Sequence, residues 1–107
     1  MPNPWVHKSL DAVLVTGAGS GVCTSGRQNI SWQYKLGGTV AATAVSVILQ
    51  GKASADADYV DIGDSQTDVN GALVVSAFPT ALHSVRLYLT TMTGGTAPSV
   101  SGWIVMS

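Results

Sequence analysis

The sequence predicts an all-β protein, a single antiparallel β-sandwich of about seven short strands. The first observation is its composition: the 107 residues include 14 Val, 10 Thr, 12 Ser and 12 Gly but no Glu. Sheets favour β-branched and aromatic residues, whereas helix surfaces favour Glu, Lys, Gln and Arg. The second is alternation of apolar and polar residues along several segments separated by Gly, Pro, Asn or Asp. That pattern is typical of strands joined by turns, and the length allows one domain.

The first four strands are predicted along the N-terminal part of the chain. Residues 10–16 form an apolar run, and residues 28–36 alternate Ile30, Trp32, Tyr34 and Leu36 with polar residues. Because Trp32 and Tyr34 share the apolar face, we expect them in the core. The third strand covers residues 43–51, and a short fourth strand covers residues 59–62 between Asp-rich turns.

Three further strands follow. One is NGALVVSAF (residues 70–78), which begins after an Asn-Gly turn and is stopped by Pro79. The next spans residues 83–92, with Val85, Leu87 and Leu89 on one face and Tyr88 on the other, and the last spans residues 100–106. Seven strands of this length predict an immunoglobulin-like or jelly-roll-like sandwich over residues 10–107, preceded by an extended arm over residues 1–9.

The stretch AVLVTGAGSG (residues 12–21) resembles the opening of a dinucleotide-binding fold. That interpretation requires a helix after the glycines and an acidic residue about 20 positions later. Instead, a strand pattern follows, and the next acidic residue is Asp56. The sequence therefore predicts that TGAGSG is a flexible loop between strands and that no dinucleotide is bound.

Few residues suit catalysis, metal binding or nucleic-acid binding. The net charge is −1 with scattered basic residues, so no nucleic-acid footprint is expected. Cys23 is the one cysteine, and His7 and His83 are the two histidines, with no triad spacing evident. Five aspartates lie between Asp56 and Asp68, but their spacing does not fit an EF-hand, so we expect turn residues. The sequence predicts a non-enzymatic protein with no cofactor and no metal.

Neither a signal peptide nor a membrane-spanning segment is predicted, because no apolar run is long enough. A single cysteine also excludes a disulfide-stapled scaffold, which favours folding in a reducing cytoplasm.

Two features suggest contacts with other subunits. The last strand is apolar on both faces, with Trp103 and Val105 on one and Val100, Ile104 and Met106 on the other. Such a strand is covered on both sides, either by another subunit or because the chain end folds over its own core. The arm carries Trp5 between prolines and polar residues and is expected to be extended, long enough to reach a neighbour. The predicted interface is therefore Trp5, Val100, Trp103, Ile104 and Met106.

The order of these segments resembles a small β-sandwich domain found among phage virion proteins. The corresponding pieces are TGAGSG, NISWQYKL, VSVILQGKASADADYVDIG and HSVRLYLTTMTGGTAPSVSGWIVMS, which together run from about residue 12 to the end. One departure is KASADAD, which stands where the family has a Ser-x-Asp-Gly turn, with Tyr59 where a Trp is usual.

The resemblance implies a virion structural protein, and the chain length favours a capsid decoration (cement) protein located on the capsid surface. Its implied partners are the major capsid protein and copies of itself, with a homotrimer expected, and it would assemble in the host cytoplasm. The alternative is a glycan- or receptor-binding module of a phage tail or fibre. That alternative predicts an exposed aromatic residue, for which Tyr88 is the best candidate.

Overall fold

The computed structural model describes residues 5–25, 27, 29–77 and 82–107, with the backbone alone for Trp5, Ser76 and Ala77. These residues form strands and turns, and no helix occurs among them. The strands are β1 (Trp5–Val13), β2 (Gly17–Ala18), β3 (Val22–Cys23), β4 (Asn29–Val40), β5 (Ala44–Lys52), β6 (Val60–Gln66), β7 (Ala72–Ala77), β8 (Ser84–Thr93) and β9 (Thr96–Met106).

The strands build two antiparallel sheets, as predicted for a β-sandwich. Sheet I has the order β1-β9-β4-β7, and sheet II has the order β2-β8-β5-β6, with β3 also paired to β8. The last two strands lie in different sheets, whereas in an immunoglobulin domain they are neighbours in one sheet. The order is that of a jelly roll in which β2 and β3 together occupy the place of one strand.

The core lies between the sheets and follows the alternation of β4, β5, β8 and β9. Both predicted core aromatics are confirmed, since Trp32 and Tyr34 are buried with their ring centroids 6.1 Å apart. The other buried members of this cluster are Leu10, Ile30, Val45, Val47, Leu49, Val85, Leu87, Leu89, Val100, Ile104 and Met106. Apolar side chains of this size each contribute about 1.5–3 kcal/mol when fully buried, so this cluster supplies the main stabilising term.

The beginning of the chain differs from the predicted arm. Residues 5–9 are extended, as expected, but they pair with β9 from Trp5, which lies opposite Met106. The sandwich therefore begins at Trp5 within the described residues, and residues 1–4 of the predicted arm lie outside them. The strand also ends earlier, at Val13 rather than at residue 16.

The prediction of a loop at TGAGSG is wrong for Gly17 and Ala18, which form β2, while Thr16 and residues 19–21 lie outside any strand. Gly17 and Ala18 pair with Leu89 and Tyr88 of β8, and β3 continues along the same strand. This arrangement covers the open edge of β8, whose backbone groups would otherwise lack partners within the sheet. Gly19 makes the approach possible, because a Cβ there would lie 2.6 Å from the Ser9 Oγ atom.

Ser9 connects the two sheets. It falls at an irregularity in the β1–β9 register between Lys8 and Leu10, and it is buried. Its hydroxyl donates to the Ser20 carbonyl oxygen at 2.8 Å and accepts from the Leu87 amide at 2.9 Å. The irregularity thus places the Ser9 hydroxyl where it satisfies two backbone groups at the edge of sheet II.

The other boundary differences are small. The fourth predicted strand is displaced to Val60–Gln66, an edge strand whose side chains are mostly exposed. The ends of two predicted strands, Gln28 and Phe78, lie outside the described residues.

Candidate interaction surface

The outer face of sheet I combines apolar residues from three strands. Two rows run across it, and each contains one residue from β1, β9, β4 and β7 in that order. The first row is Val6, Val105, Ser31 and Val75, and the second is Lys8, Trp103, Gln33 and Leu73. We call Val6, Leu73, Val75, Trp103 and Val105 the apolar patch.

The apolar patch is accessible to solvent. The side chains of Val6, Leu73 and Val75 are 55%, 62% and 75% exposed, while Trp103 and Val105 are half-buried. Among the described residues, the other exposed large apolar side chains lie in turns or at strand ends: Leu14, Val15, Val40, Val60 and Val69. Several apolar side chains on one sheet face, rimmed by polar residues, are typical of a protein–protein contact.

A shallow groove of about 530 Å³ lies at one end of the patch. Trp103 and Leu73 contribute its apolar lining, while Gln33, Lys35 and Asn70 supply polar groups. The Lys8 ammonium lies 5.6 Å from the centre of the Trp103 ring and 2.9 Å from a carboxylate oxygen of Asp11. The Trp103 side chain is therefore held between a paired lysine and the groove, a geometry suited to an anchor residue.

The predicted interface residues separate into two groups. Val100, Ile104 and Met106 are fully buried in the chain's own core and offer no surface to a partner. For these three, the chain-end explanation is correct, because β9 is central in sheet I and its inner face meets sheet II. Trp103 lies on the outer face in the patch. The side chain of Trp5 lies outside the described residues.

Leu73 and Val75 were not predicted as surface residues. The signal was present in the sequence, since ALVVSA is apolar on both faces, as the last strand is. The sequence predicted this segment as a strand without assigning its faces, and in the structure Ala72 and Val74 pack against the core. When a strand is apolar on both faces, its position in the sheet decides which face is covered. The sequence alone does not give that position.

The outer face of sheet II carries a polar cluster instead. The Arg86 guanidinium lies 4.0 Å from the centre of the Tyr59 ring and 5.9 Å from that of Tyr88. Gln50 accepts from the Arg86 Nε at 2.8 Å and donates to Asp61 at 2.8 Å. Lys52 is 4.8 Å from the centre of the Tyr59 ring. Tyr88, the predicted exposed aromatic, is half-buried here.

Tyr59 contacts the segment between β2 and β3. Its hydroxyl packs directly against Gly21, where any Cβ would collide with it. Gly21, in the second half of the glycine motif, therefore has a packing role.

The remaining candidate side chains take local structural roles. Asp68 accepts from the Asn70 amide at 2.8 Å, so it is a turn residue, as predicted, whereas Asp61 and Asp64 lie on β6. The His7 Nε2 atom lies 3.0 Å from the Ser20 hydroxyl, and the His83 Nδ1 atom lies 2.6 Å from the Ser84 hydroxyl. Cys23 is an exposed free thiol. Among the described residues, no three His, Cys or Asp side chains converge, and no helix could cross a membrane.

Comparison with known proteins supports the fold. No protein family and no curated protein matches this chain in sequence. In structure, the chain is similar to the SPBc2 prophage-derived protein YomS, with a TM-score of 0.69 and 15% sequence identity. The likeness covers 100% of this chain and 96% of that one. At this identity it establishes a shared fold over the whole chain.

Proposed function

We propose that this chain is a structural protein of a phage particle, a capsid decoration protein that binds the major capsid protein and stabilises the shell. The observation that carries the proposal is the apolar patch on the outer face of sheet I, with three side chains more than half exposed. The fold that the chain shares with a prophage-derived protein and the order of its sequence segments support a phage origin.

The mechanism is physical binding. Burying a fully exposed Val or Leu side chain contributes about 1.5–3 kcal/mol, before the entropy of association is subtracted. Because Val6, Leu73 and Val75 are 55–75% exposed, the apolar patch of a single copy gives only a weak contact. Repetition over a shell adds strength where neighbouring copies also bind one another, because later contacts become intramolecular.

The glycan-binding alternative receives less support from the polar cluster. A sugar platform needs a free aromatic face, whereas Arg86 and Lys52 both lie within 5 Å of the centre of the Tyr59 ring. Arg86 also approaches Tyr88, so the rings on this face are engaged by cations.

The test is co-sedimentation of the purified chain with capsids that lack it, over a range of concentrations. We expect saturation at a fixed number of copies per capsid protein. Val6→Lys should weaken binding at least about tenfold, since it places a charge in the apolar patch. The matched control is Val60→Lys, because Val60 is 60% exposed but lies at the edge of sheet II. Absence of saturable binding, or equal loss in both variants, would overturn the proposal.

A further inference from the structure

Strand β7 is an edge strand of sheet I, and no described residue pairs with its outer edge. An edge strand presents a row of unpaired N–H and C=O groups that invite another strand. Proteins that remain monomeric protect such edges with charged residues, bulges, prolines or very short strands.

The other edges carry such protection. On β1 the register with β9 is interrupted twice, Lys8 and Asp11 supply charges, and Ala12 adopts a φ of 46°. On β6 there is a register shift against β5, and Asp61 and Asp64 lie on the strand. The remaining edge consists of β2 and β3, each two residues long.

The β7 edge has none of these features. Six consecutive residues, Ala72–Ala77, pair with β4 without a register shift. The sequence ALVVSA has no charge and no proline, and two of its outward side chains, Leu73 and Val75, are 62% and 75% exposed. This edge is regular, neutral and apolar, and its six residues match the usual length of a β-strand, so it can pair with another strand.

We propose that β7 pairs antiparallel with β7 of a second copy of this chain, giving a two-fold dimer through a continuous sheet. A second copy fits because a neutral strand meets itself without like-charge repulsion, whereas β6 would bring its aspartates together. A two-fold axis beside Val74 places Leu73 of each copy opposite Val75 of the other. Each of these apolar side chains then gains an apolar neighbour across the contact, on the same outer face.

The proposed pairing has a consequence for the apolar patch. A two-fold axis perpendicular to the sheet keeps the outer faces of both copies on the same side. Two four-stranded sheets then form one eight-stranded sheet with a doubled patch. The pair would be a dimer, whereas the sequence resemblance implied a homotrimer. This inference does not depend on binding to a capsid, because it is tested on the purified chain.

The experiment is sedimentation equilibrium of the wild type, Val75→Lys and Val6→Lys. Val6 and Val75 lie in the same row of the outer face but on opposite edge strands of sheet I. We expect a dimer for the wild type and for Val6→Lys. For Val75→Lys we expect the dissociation constant to rise at least about tenfold, because the lysine places a charge on the pairing edge. Thermal unfolding verifies that each variant folds.

Two further measurements do not require a disruptive variant. Amide hydrogen exchange of the wild type should show protection in residues 72–77 that increases with protein concentration. In a Cys23→Ser background, a copy with Leu73→Cys mixed with a copy with Val75→Cys should form an intermolecular disulfide when dissolved oxygen oxidises the two thiols. The Cα atoms of opposed residues in antiparallel strands lie about 4.5–5.5 Å apart, which a disulfide can span.

The proposal would be overturned by a wild type that is monomeric at the highest concentration tested, or by a trimer. Equal dissociation in Val6→Lys and Val75→Lys would also overturn it, since that result places the contact on the outer face rather than on the β7 edge. A dimer that does not bind capsids would leave the pairing in place and reject only the proposed function.

Discussion

At the scale of single residues, two buried hydroxyl groups account for how the β2–β3 edge is held. The Ser9 hydroxyl serves the Leu87 amide, and the Thr24 hydroxyl donates to the Leu82 carbonyl oxygen. Within the described residues, every buried side-chain nitrogen or oxygen has a hydrogen-bond partner. A buried polar group left unsatisfied costs about 1–3 kcal/mol, so Ser9 and Thr24 help to hold the β2–β3 edge on sheet II.

Tyr34 gives a pH-dependent prediction at this scale. Burial raises the pKa of the Tyr34 phenol above its ordinary value of 10.0, and the nearby Asp68 charge adds to the increase. The neutral hydroxyl donates to the Asp68 carbonyl oxygen at 2.6 Å. Because the folded pKa is raised, this contribution is complete below pH 10.0 and is lost as the pH rises through the folded pKa.

Tyr34→Phe should therefore lower the free energy of unfolding by about 1 kcal/mol at pH 8 through loss of the hydrogen bond. Above pH 10.0 the wild type should lose stability faster, so the two curves should converge. Urea unfolding of both proteins from pH 8 to pH 11 measures both effects. Tyr59, Tyr88 and the lysines are present in both proteins, so their titration does not contribute to the difference between the two curves. Parallel curves across this range would show that Tyr34 titrates identically in the folded and unfolded chains.

At the scale of elements, strands were predictable from the sequence where one face is buried and the other faces solvent. The β4 and β8 patterns placed Trp32, Tyr34, Val85, Leu87 and Leu89 correctly, since period-2 alternation reports a half-buried strand. Strands β2 and β3 were missed because a segment of two residues is too short to show alternation. Their pairing depends on the open edge of β8, which is a property of the assembled sheet.

Strand β4 continues beyond residue 36, where the predicted strand ends, and there it approaches β9 closely. Gly38 has a φ of +101° and lies opposite Pro98 of β9. A Cβ at this position would collide with the Ala97 carbonyl oxygen and lie 2.9 Å from the Pro98 Cα atom. The long β4–β9 pairing can pass this point only with glycine.

Gly38→Ala should destabilise the fold by about 1–3 kcal/mol, because backbone strain and a backbone collision coincide. Gly63→Ala is the matched control: its φ is +76°, but nothing lies within 4 Å of an added Cβ. Thermal or urea unfolding of both variants separates collision from strain. If Gly63→Ala proves as destabilising as Gly38→Ala, the approach of β9 has no energetic role.

At the scale of the whole molecule, the sandwich has two chemically different outer faces. Sheet I carries the apolar patch, and sheet II carries the Arg86–Tyr59 cluster with its polar partners. The sequence predicted Trp103 as an interface residue but could not separate it from its neighbours Ile104 and Met106. Alternation divides the last strand into two faces, and the topology then decides which face meets the second sheet.

This asymmetry predicts an orientation on the particle. In the decoration proposal, sheet I faces the capsid and sheet II faces solvent, and the exposed thiol of Cys23 lies on β3 of sheet II. We expect a maleimide to label Cys23 at the same rate in free and capsid-bound protein. In a Cys23→Ser background, Val6→Cys should label readily in the free chain, because position 6 is exposed. On the capsid its labelling should fall to the rate set by dissociation. Protection of Cys23 with continued labelling at position 6 would mean that sheet II, with its polar cluster, is the face that binds.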